Sequence, residues 1–87
     1  MPTVFIPAQM KELTDGESAV EVTGTTVREA IDDLDRKFPG MAERLCRGDS
    51  LIPGLQVSID HVMTGRGLRA KLKPTSEIHF LPAIGGG

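Results

Sequence analysis

The fold is decided by residues 26–40, which read TVREAIDDLDRKFPG. Thr26 and Glu29 have the spacing of a capping box, in which a hydroxyl and a carboxylate each accept a hydrogen bond from a free backbone N–H of the first helical turn. One face of this segment is apolar at helical spacing, through Val27, Ala30, Ile31, Leu34 and Phe38. Pro39 and Gly40 end the pattern. The stretch therefore predicts one amphipathic helix that covers one face of a sheet.

Two short strands are predicted before this helix. Residues 3–7, TVFIP, form a β-branched and aromatic run that ends at a proline. Residues 18–22, SAVEV, alternate small or apolar with polar side chains, as a half-buried strand does. The intervening residues 11–16 close on Asp15-Gly16 and indicate a loop and turn. We expect the two strands to pair as a hairpin.

After the helix, residues 41–45 allow one further helical turn and residues 47–54 indicate a loop. Residues 55–59, LQVSI, alternate as a third strand, with Asp60-His61 as a turn.

The last third of the chain holds the remaining strands. A weak strand is predicted around residues 68–72, where Leu68, Ala70 and Leu72 alternate with basic residues. The final strand covers residues 77–81, EIHFL, with its isoleucine and phenylalanine on one face. The order of elements predicts an α+β fold of the β-grasp (ubiquitin-like) class. In this fold a mixed sheet of four to five strands is covered on one face by one main helix. We expect a domain over residues 1–82 and a flexible glycine tail over residues 83–87.

Composition restricts the chain to one small domain of 87 residues. Hydrophobic residues make up 39% and charged residues 25%, which is too apolar for a disordered protein. The net charge of −2 and the absence of Tyr and Trp argue against nucleic-acid binding, which uses basic stripes and aromatic stacking platforms. The single cysteine, Cys46, excludes an internal disulfide, and no segment has the length of a membrane span. These features predict a cytoplasmic protein.

No motif in the sequence predicts an enzyme. The two histidines, His61 and His79, lack further metal-type residues at suitable spacing, and His79 is expected to be a satisfied surface side chain. The helical aspartates Asp32, Asp33 and Asp35 are expected to form the solvated side of the helix, with Asp33 paired to Lys37. Cys46 is expected to have a structural role, as a small buried hydrophobic residue. Neither a catalytic residue nor a metal ligand is therefore predicted.

The chain ends LPAIGGG, residues 81–87, so that an apolar strand runs directly into three glycines and a carboxylate. Glycine has no Cβ, and a segment made only of glycine can pass through a channel too narrow for side chains. From residue 83 to residue 87 the extended chain reaches about 15 to 18 Å. Such a tail can deliver its carboxylate into the active site of another protein. Frayed, idle glycines are the simpler alternative.

The sequence resembles the ThiS/MoaD family of ubiquitin-like sulfur carrier proteins. The resemblance rests on VFIPA at residues 4–8 with KEL at residues 11–13, on LDRKFPGMAERL at residues 34–45, and on FLPAIGGG at residues 80–87. The second and third of these segments are closest to the CysO-like branch. The antepenultimate Gly85 stands where family members more often have a side chain.

The resemblance implies a mechanism. Gly87 would be adenylated by an E1-like adenylyltransferase/sulfurtransferase that uses ATP and Mg, and would then carry sulfur as a thiocarboxylate. A downstream sulfur-accepting synthase would take the sulfur for cysteine, molybdopterin or another sulfur-containing metabolite. Gly85 and Gly86 would thread the partner's channel. The chain itself would bind no cofactor.

A tail that leaves the last strand needs a neighbouring surface to guide the partner. We therefore predict a docking face on the side of the sheet opposite the helix, with Phe5, Phe80, Leu81 and Ile84 as its apolar contacts.

Two alternative functions are compatible with the sequence. A ubiquitin-like modifier would be activated in the same way but joined to lysine by an isopeptide bond, leaving a remnant of the tail on its targets. A non-reactive β-grasp interaction module would keep its activity after deletion of Gly86 and Gly87, whereas a carrier would not.

Overall fold

The computed structural model describes residues 1–82. The predicted tail, residues 83–87, lies outside the described residues, so the proposed boundary between domain and tail stays a prediction. The strands are β1 (Thr3–Phe5), β2 (Ala19–Glu21), β3 (Cys46–Arg47), β4 (Ser50–Leu51), β5 (Leu55–Ile59), β6 (Val62–Thr64) and β7 (Glu77–Pro82). The helices are α1 (Val27–Lys37), α2 (Met41–Leu45) and two 3-10 helices, Ala8–Thr14 and Gly67–Arg69.

Five strands form one mixed sheet in the order β2-β1-β7-β5-β6. β1 and β7 are parallel, whereas the other neighbouring pairs are antiparallel. The sheet confirms the predicted hairpin of the first two strands and the predicted turn at Asp60-His61, where both residues have positive φ. Positive φ at both residues is what a two-residue hairpin loop of type I′ requires. The last strand of the chain therefore lies at the centre of the sheet, between β1 and β5.

The helix α1 begins as predicted, with one difference in its capping. The Thr26 hydroxyl accepts a hydrogen bond from the Glu29 N–H at 3.2 Å. The Glu29 carboxylate accepts from the Thr25 N–H at 2.7 Å, one residue before the position that a capping box uses. This backbone hydrogen bond is the main reason why the pKa of Glu29 lies below its usual range.

The apolar face of α1 packs against the sheet as its spacing predicts. Val27, Ala30, Ile31 and Leu34 are fully buried, and Phe38 is partly buried against them. The sheet contributes the facing side chains of this core, among them Val4, Val57, Ile78 and Phe80. The described residues therefore share one core between α1 and one face of the sheet.

Three segments differ from the prediction. The residues expected to form a weak strand, Leu68, Ala70 and Leu72, are buried but do not form one. Leu68 lies in the 3-10 helix Gly67–Arg69, whereas Ala70 and Leu72 flank Lys71, which forms a single bridge with Thr26. Their alternation reflects burial, whereas the fifth strand of the sheet is β6. The loop predicted after β1 contains the 3-10 helix Ala8–Thr14. The loop predicted over residues 47–54 includes part of the small β3–β4 hairpin.

Contrary to the prediction, Asp33 does not lie on the solvated side of the helix. It is 7% exposed and ties α1 to the segment that follows β2, since its Oδ2 accepts from the Thr23 N–H at 3.0 Å. The predicted ion pair with Lys37 is present, at 3.2 Å. Arg36 donates to the other carboxylate oxygen. Chiefly through Arg36, and then through Thr23, these donors lower the pKa of Asp33 from 3.8 to about 2.

Replacing Asp33 with Asn is expected to remove one acid-sensitive component of stability. Because the folded-state pKa is lowered, the carboxylate stabilises the fold above about pH 4, and this contribution is lost as the pH falls toward 2. Thermal unfolding followed by circular dichroism from pH 7 to pH 2 should show a shallower loss for Asp33→Asn than for the wild type. Asp32→Asn, at an exposed position of the same helix, is the matched control. Equal pH dependence in the two variants would contradict this role.

Candidate docking face and chain exit

The position of β7 determines where the tail leaves the domain. Its partner on one side is β1, in parallel, and on the other side β5, in antiparallel register with Leu55 opposite Pro82. The described chain therefore ends at the carboxyl end of the central strand, β7, and residue 83 is next in sequence. An extended chain from residue 83 to Gly87 reaches about 15 to 18 Å from that point. Gly85, Gly86 and Gly87 themselves lie outside the described residues, so their roles stay predictions.

The side of the sheet opposite α1, which we call the outer face, has a continuous row of side chains across four strands. Strand alternation and the register place Phe5, His79, Ser58 and Met63 side by side on it, with Leu81 next along β7. Leu81 is 42% and Met63 49% exposed. The structure thus places Phe5 and Leu81 on the face for which they were predicted.

Phe80 is not available on this face, and its predicted docking role is wrong. It is only 4% exposed and belongs to the core, because it alternates with the outward residues of β7 and shares the inner face with Ile78. The sequence pattern had already put Ile78 and Phe80 on one face. Ile84, the fourth predicted contact, lies outside the described residues.

His79 differs from the satisfied surface histidine that was predicted. Its ring is stacked on that of Phe5, with centroids 4.4 Å apart and planes within 2° of parallel. Its Nδ1 is buried and has no hydrogen-bond partner among residues 1–82. The ring of His61 lies 5.6 Å away, tilted by 34°. The stacked pair forms a flat, largely apolar platform at the middle of the outer face.

The outer face changes from polar to apolar along β7. At the start of β7, the Glu77 Oε1 lies 3.5 Å from the His61 Nε2, and the Glu77 backbone N–H donates a hydrogen bond to the Asp60 Oδ1 at 2.9 Å. At its other end Leu81 is exposed beside the chain exit. The face therefore has a polar rim far from the tail and an apolar surface next to it, which is the distribution that protein interfaces use.

The remaining chemical candidates fit structural roles. Cys46 is half-buried, and this burial raises the pKa of its thiol, which disfavours the reactive thiolate. Within residues 1–82 no group of three or more His, Cys, Asp or Glu side chains is arranged to hold a metal ion. No helix in that part of the chain is long and apolar enough to cross a membrane.

Comparison with known proteins agrees with this geometry. The profile of the ThiS family matches residues 4–87. The chain belongs to the ThiS family. The sulfur carrier protein CysO of Mycobacterium tuberculosis is 30% identical to it over 92 residues, which cover 98% of this chain and 97% of the relative.

Solved structures place this ThiS-family chain in the β-grasp fold. A chain in the crystal structure of the Amycolatopsis orientalis BexX/CysO complex is 34% identical and superposes with a TM-score of 0.89 over the full length of both chains. The small archaeal modifier protein SAMP1 of Methanosarcina acetivorans shares the fold, with a TM-score of 0.77 and 24% identity over 99% of this chain and 95% of its own. The predicted fold class is confirmed.

Sequence reasoning missed two features of this ThiS-family chain. Met63 joins the outer face because the register pairs it with Ser58, and its strand was not predicted. The Phe5–His79 stack depends on the parallel pairing of the first and last strands, which are far apart in sequence. A prediction of that pairing would have placed both rings together.

Proposed function

We propose that this chain is a sulfur carrier, which holds the sulfur at the carboxyl group of Gly87 as a thiocarboxylate. The observation that supports this most strongly is that the family match extends through Gly87, the end of a tail that follows the central strand of the sheet. The relatives are named as sulfur carriers rather than as catalysts. The chain then supplies the reacting carboxylate and a docking face, and its partners supply the catalytic groups.

The proposed chemistry has two steps, both in an E1-like adenylyltransferase/sulfurtransferase. First, the carboxylate attacks the α-phosphate of Mg-bound ATP, forming an acyl adenylate and releasing pyrophosphate. Second, a sulfide-level nucleophile attacks the acyl carbon, the bond to AMP breaks, and a thiocarboxylate remains. A sulfur-accepting synthase then receives the sulfur. Glycine at the reacting position leaves the acyl carbon unhindered, because no Cβ lies beside it.

Mass spectrometry of the reacted chain tests this function. Incubation with the E1-like enzyme, ATP, Mg²⁺ and sulfide should add the mass of one oxygen-to-sulfur exchange, and fragmentation should place the change on Gly87. The same reaction without ATP is the control. If lysines of added proteins instead become joined to the tail while no thiocarboxylate forms, the chain is a modifier and the carrier proposal fails.

The outer face is proposed to bind the activating enzyme through Phe5 and Leu81. Replacing Leu81 with Asp should weaken this association by about tenfold or more, since losing an apolar anchor and burying a charge each cost over about 1 kcal/mol. Isothermal titration calorimetry measures the change. Val62→Asp is the matched control, because Val62 is also an exposed apolar strand residue, 67% exposed, but alternates to the inner side. Equal losses in both variants would remove Leu81 from the interface.

A further inference from the structure

The two edge strands of the five-stranded sheet, β2 and β6, differ in how well they are covered. The outward backbone of β2 contacts α1, since the Lys37 Nζ donates a hydrogen bond to the Glu21 carbonyl at 2.6 Å. Within residues 1–82, no loop or side-chain group hydrogen-bonds to the backbone of β6. β6 also contains neither a charged residue nor a proline, which are the residues that usually protect an edge strand from pairing.

The backbone groups of Met63 point toward this open edge. The Asp60 N–H donates to the Glu77 carbonyl at 2.9 Å, so the backbone of Asp60 is directed toward β7. Because these groups alternate in direction along a strand, those of Ser58 are also directed toward β7, away from β6. Met63 is the residue of β6 opposite Ser58. Its N–H and C=O therefore have no partner in β5 and face outward from the sheet.

Apolar side chains flank this free backbone on both sides of the sheet. Met63 is 49% exposed on the outer face, and Val62 is 67% exposed on the inner side. An edge strand with a free backbone and exposed apolar side chains is a template for the addition of another strand.

We propose that β6 pairs in antiparallel orientation with β6 of a second copy of this chain, about a twofold axis at Met63. The two Met63 residues would exchange both N–H···O=C hydrogen bonds, and Val62 would lie opposite Thr64 of the second copy. The two sheets would form one continuous sheet, with both outer faces on one side and both α1 helices on the other.

Charge complementarity favours a second copy as the occupant. Asp60 lies three residues before Met63 and Arg66 three residues after it, and both are exposed. Antiparallel pairing centred on Met63 brings the Asp60 end of one copy beside the Arg66 end of the other, twice in the dimer. Within residues 1–82 Arg66 forms no ion pair, so its charge is free for this contact.

Sedimentation equilibrium of the isolated, full-length chain tests the dimer without any enzyme, so its outcome is independent of the sulfur-carrier function. The average mass should rise toward that of a dimer with a dissociation constant on the order of 0.1 to 1 mM, because an interface built on one short strand is small. Over the same range, hydrogen exchange of the Met63 amide should slow with increasing concentration.

Met63→Pro removes the outward N–H, which an edge strand tolerates. It should raise the dissociation constant by about tenfold or more, because both symmetric hydrogen bonds are lost together. Ala19→Pro is the matched control. Ser18 and Val22 bond to the β1 side, so the N–H of Ala19 also points outward, but from the opposite edge of the sheet. This variant should dimerise as the wild type does.

Arg66→Glu tests the charge contact without altering the strand. It should raise the dissociation constant by about threefold or more, since two exposed pairs change from attraction to repulsion. Added salt should reduce this difference. Arg47→Glu, at an exposed position of the β3–β4 hairpin, is its control and should have no effect.

Three results would overturn the proposal. The first is a chain that stays monomeric well above the expected dissociation constant. The second is a dimer that Met63→Pro and Ala19→Pro weaken equally, or that Met63→Pro leaves unchanged. The third is a Met63 amide that becomes protected only when the activating enzyme is added, because the edge would then receive a strand of another protein.

Discussion

Deleting Gly87 is expected to slow thiocarboxylate formation by about a hundredfold or more, even though Gly86 then presents its own carboxylate. The carboxylate of the shortened tail would lie about 3.3 Å short of the position from which it attacks the phosphate of the nucleotide. A displacement of even about 1 Å can cost about a hundredfold in rate. The measurement is single-turnover formation of the thiocarboxylate with the purified E1-like enzyme, ATP, Mg²⁺ and sulfide.

The matched variant adds one residue after Gly87, which keeps the whole tail but moves the carboxylate past the reacting position. This chain should not react at all in a system free of proteases. Because residues 1–82 are untouched in both variants, their melting temperatures should equal that of the wild type. A lengthened chain that still acquires sulfur would show that the terminus is not the carrying group.

Replacing Leu34 with Ala is expected to lower the free energy of unfolding by about 2 to 5 kcal/mol. Leu34 is fully buried at the centre of the apolar face of α1, where the truncation leaves a cavity between helix and sheet. Small domains have a total stability of only about 5 to 15 kcal/mol, so this variant should be partly unfolded at elevated temperature. Urea unfolding followed by circular dichroism measures the loss.

Asp32→Ala, on the exposed side of the same helix, is the control for helix propensity. Its long ion pair with Arg28, at 3.9 Å, is exposed to solvent, and such pairs contribute little. We expect a change within about 0.5 kcal/mol. Similar losses for Leu34→Ala and Asp32→Ala would mean that the apolar face of α1 does not form the core.

Local patterns account for most of what the sequence predicted correctly. The cap at Thr26 and the apolar spacing of α1 are readable because hydrogen bonds and side-chain phase within a helix repeat over a few residues. The Asp60-His61 turn was readable for the same reason, since it is fixed by its own two residues. Predictions failed where the partner is distant in sequence.

Asp33 shows why such failures occur. Its burial depends on the Thr23 N–H, ten residues earlier, and no local pattern distinguishes a carboxylate that meets this donor from one that faces water. The segment around Ala70 is a second case, because a strand and a buried irregular segment can show the same alternation. Phe80 was a different error: its shared face with Ile78 was read correctly, but the face was not assigned to the core.

The parallel pairing of β1 with β7 also affects when the domain can fold during its synthesis. The centre of the sheet consists of the first strand and the last, so the native ladder cannot close while residues 77–82 are still inside the ribosome. Contacts between such distant segments make folding depend on late, long-range closure. The domain therefore completes its folding only after residues 77–82 have left the ribosome. The outer face, which includes Phe5 of β1 and His79 of β7, is assembled at the same late step.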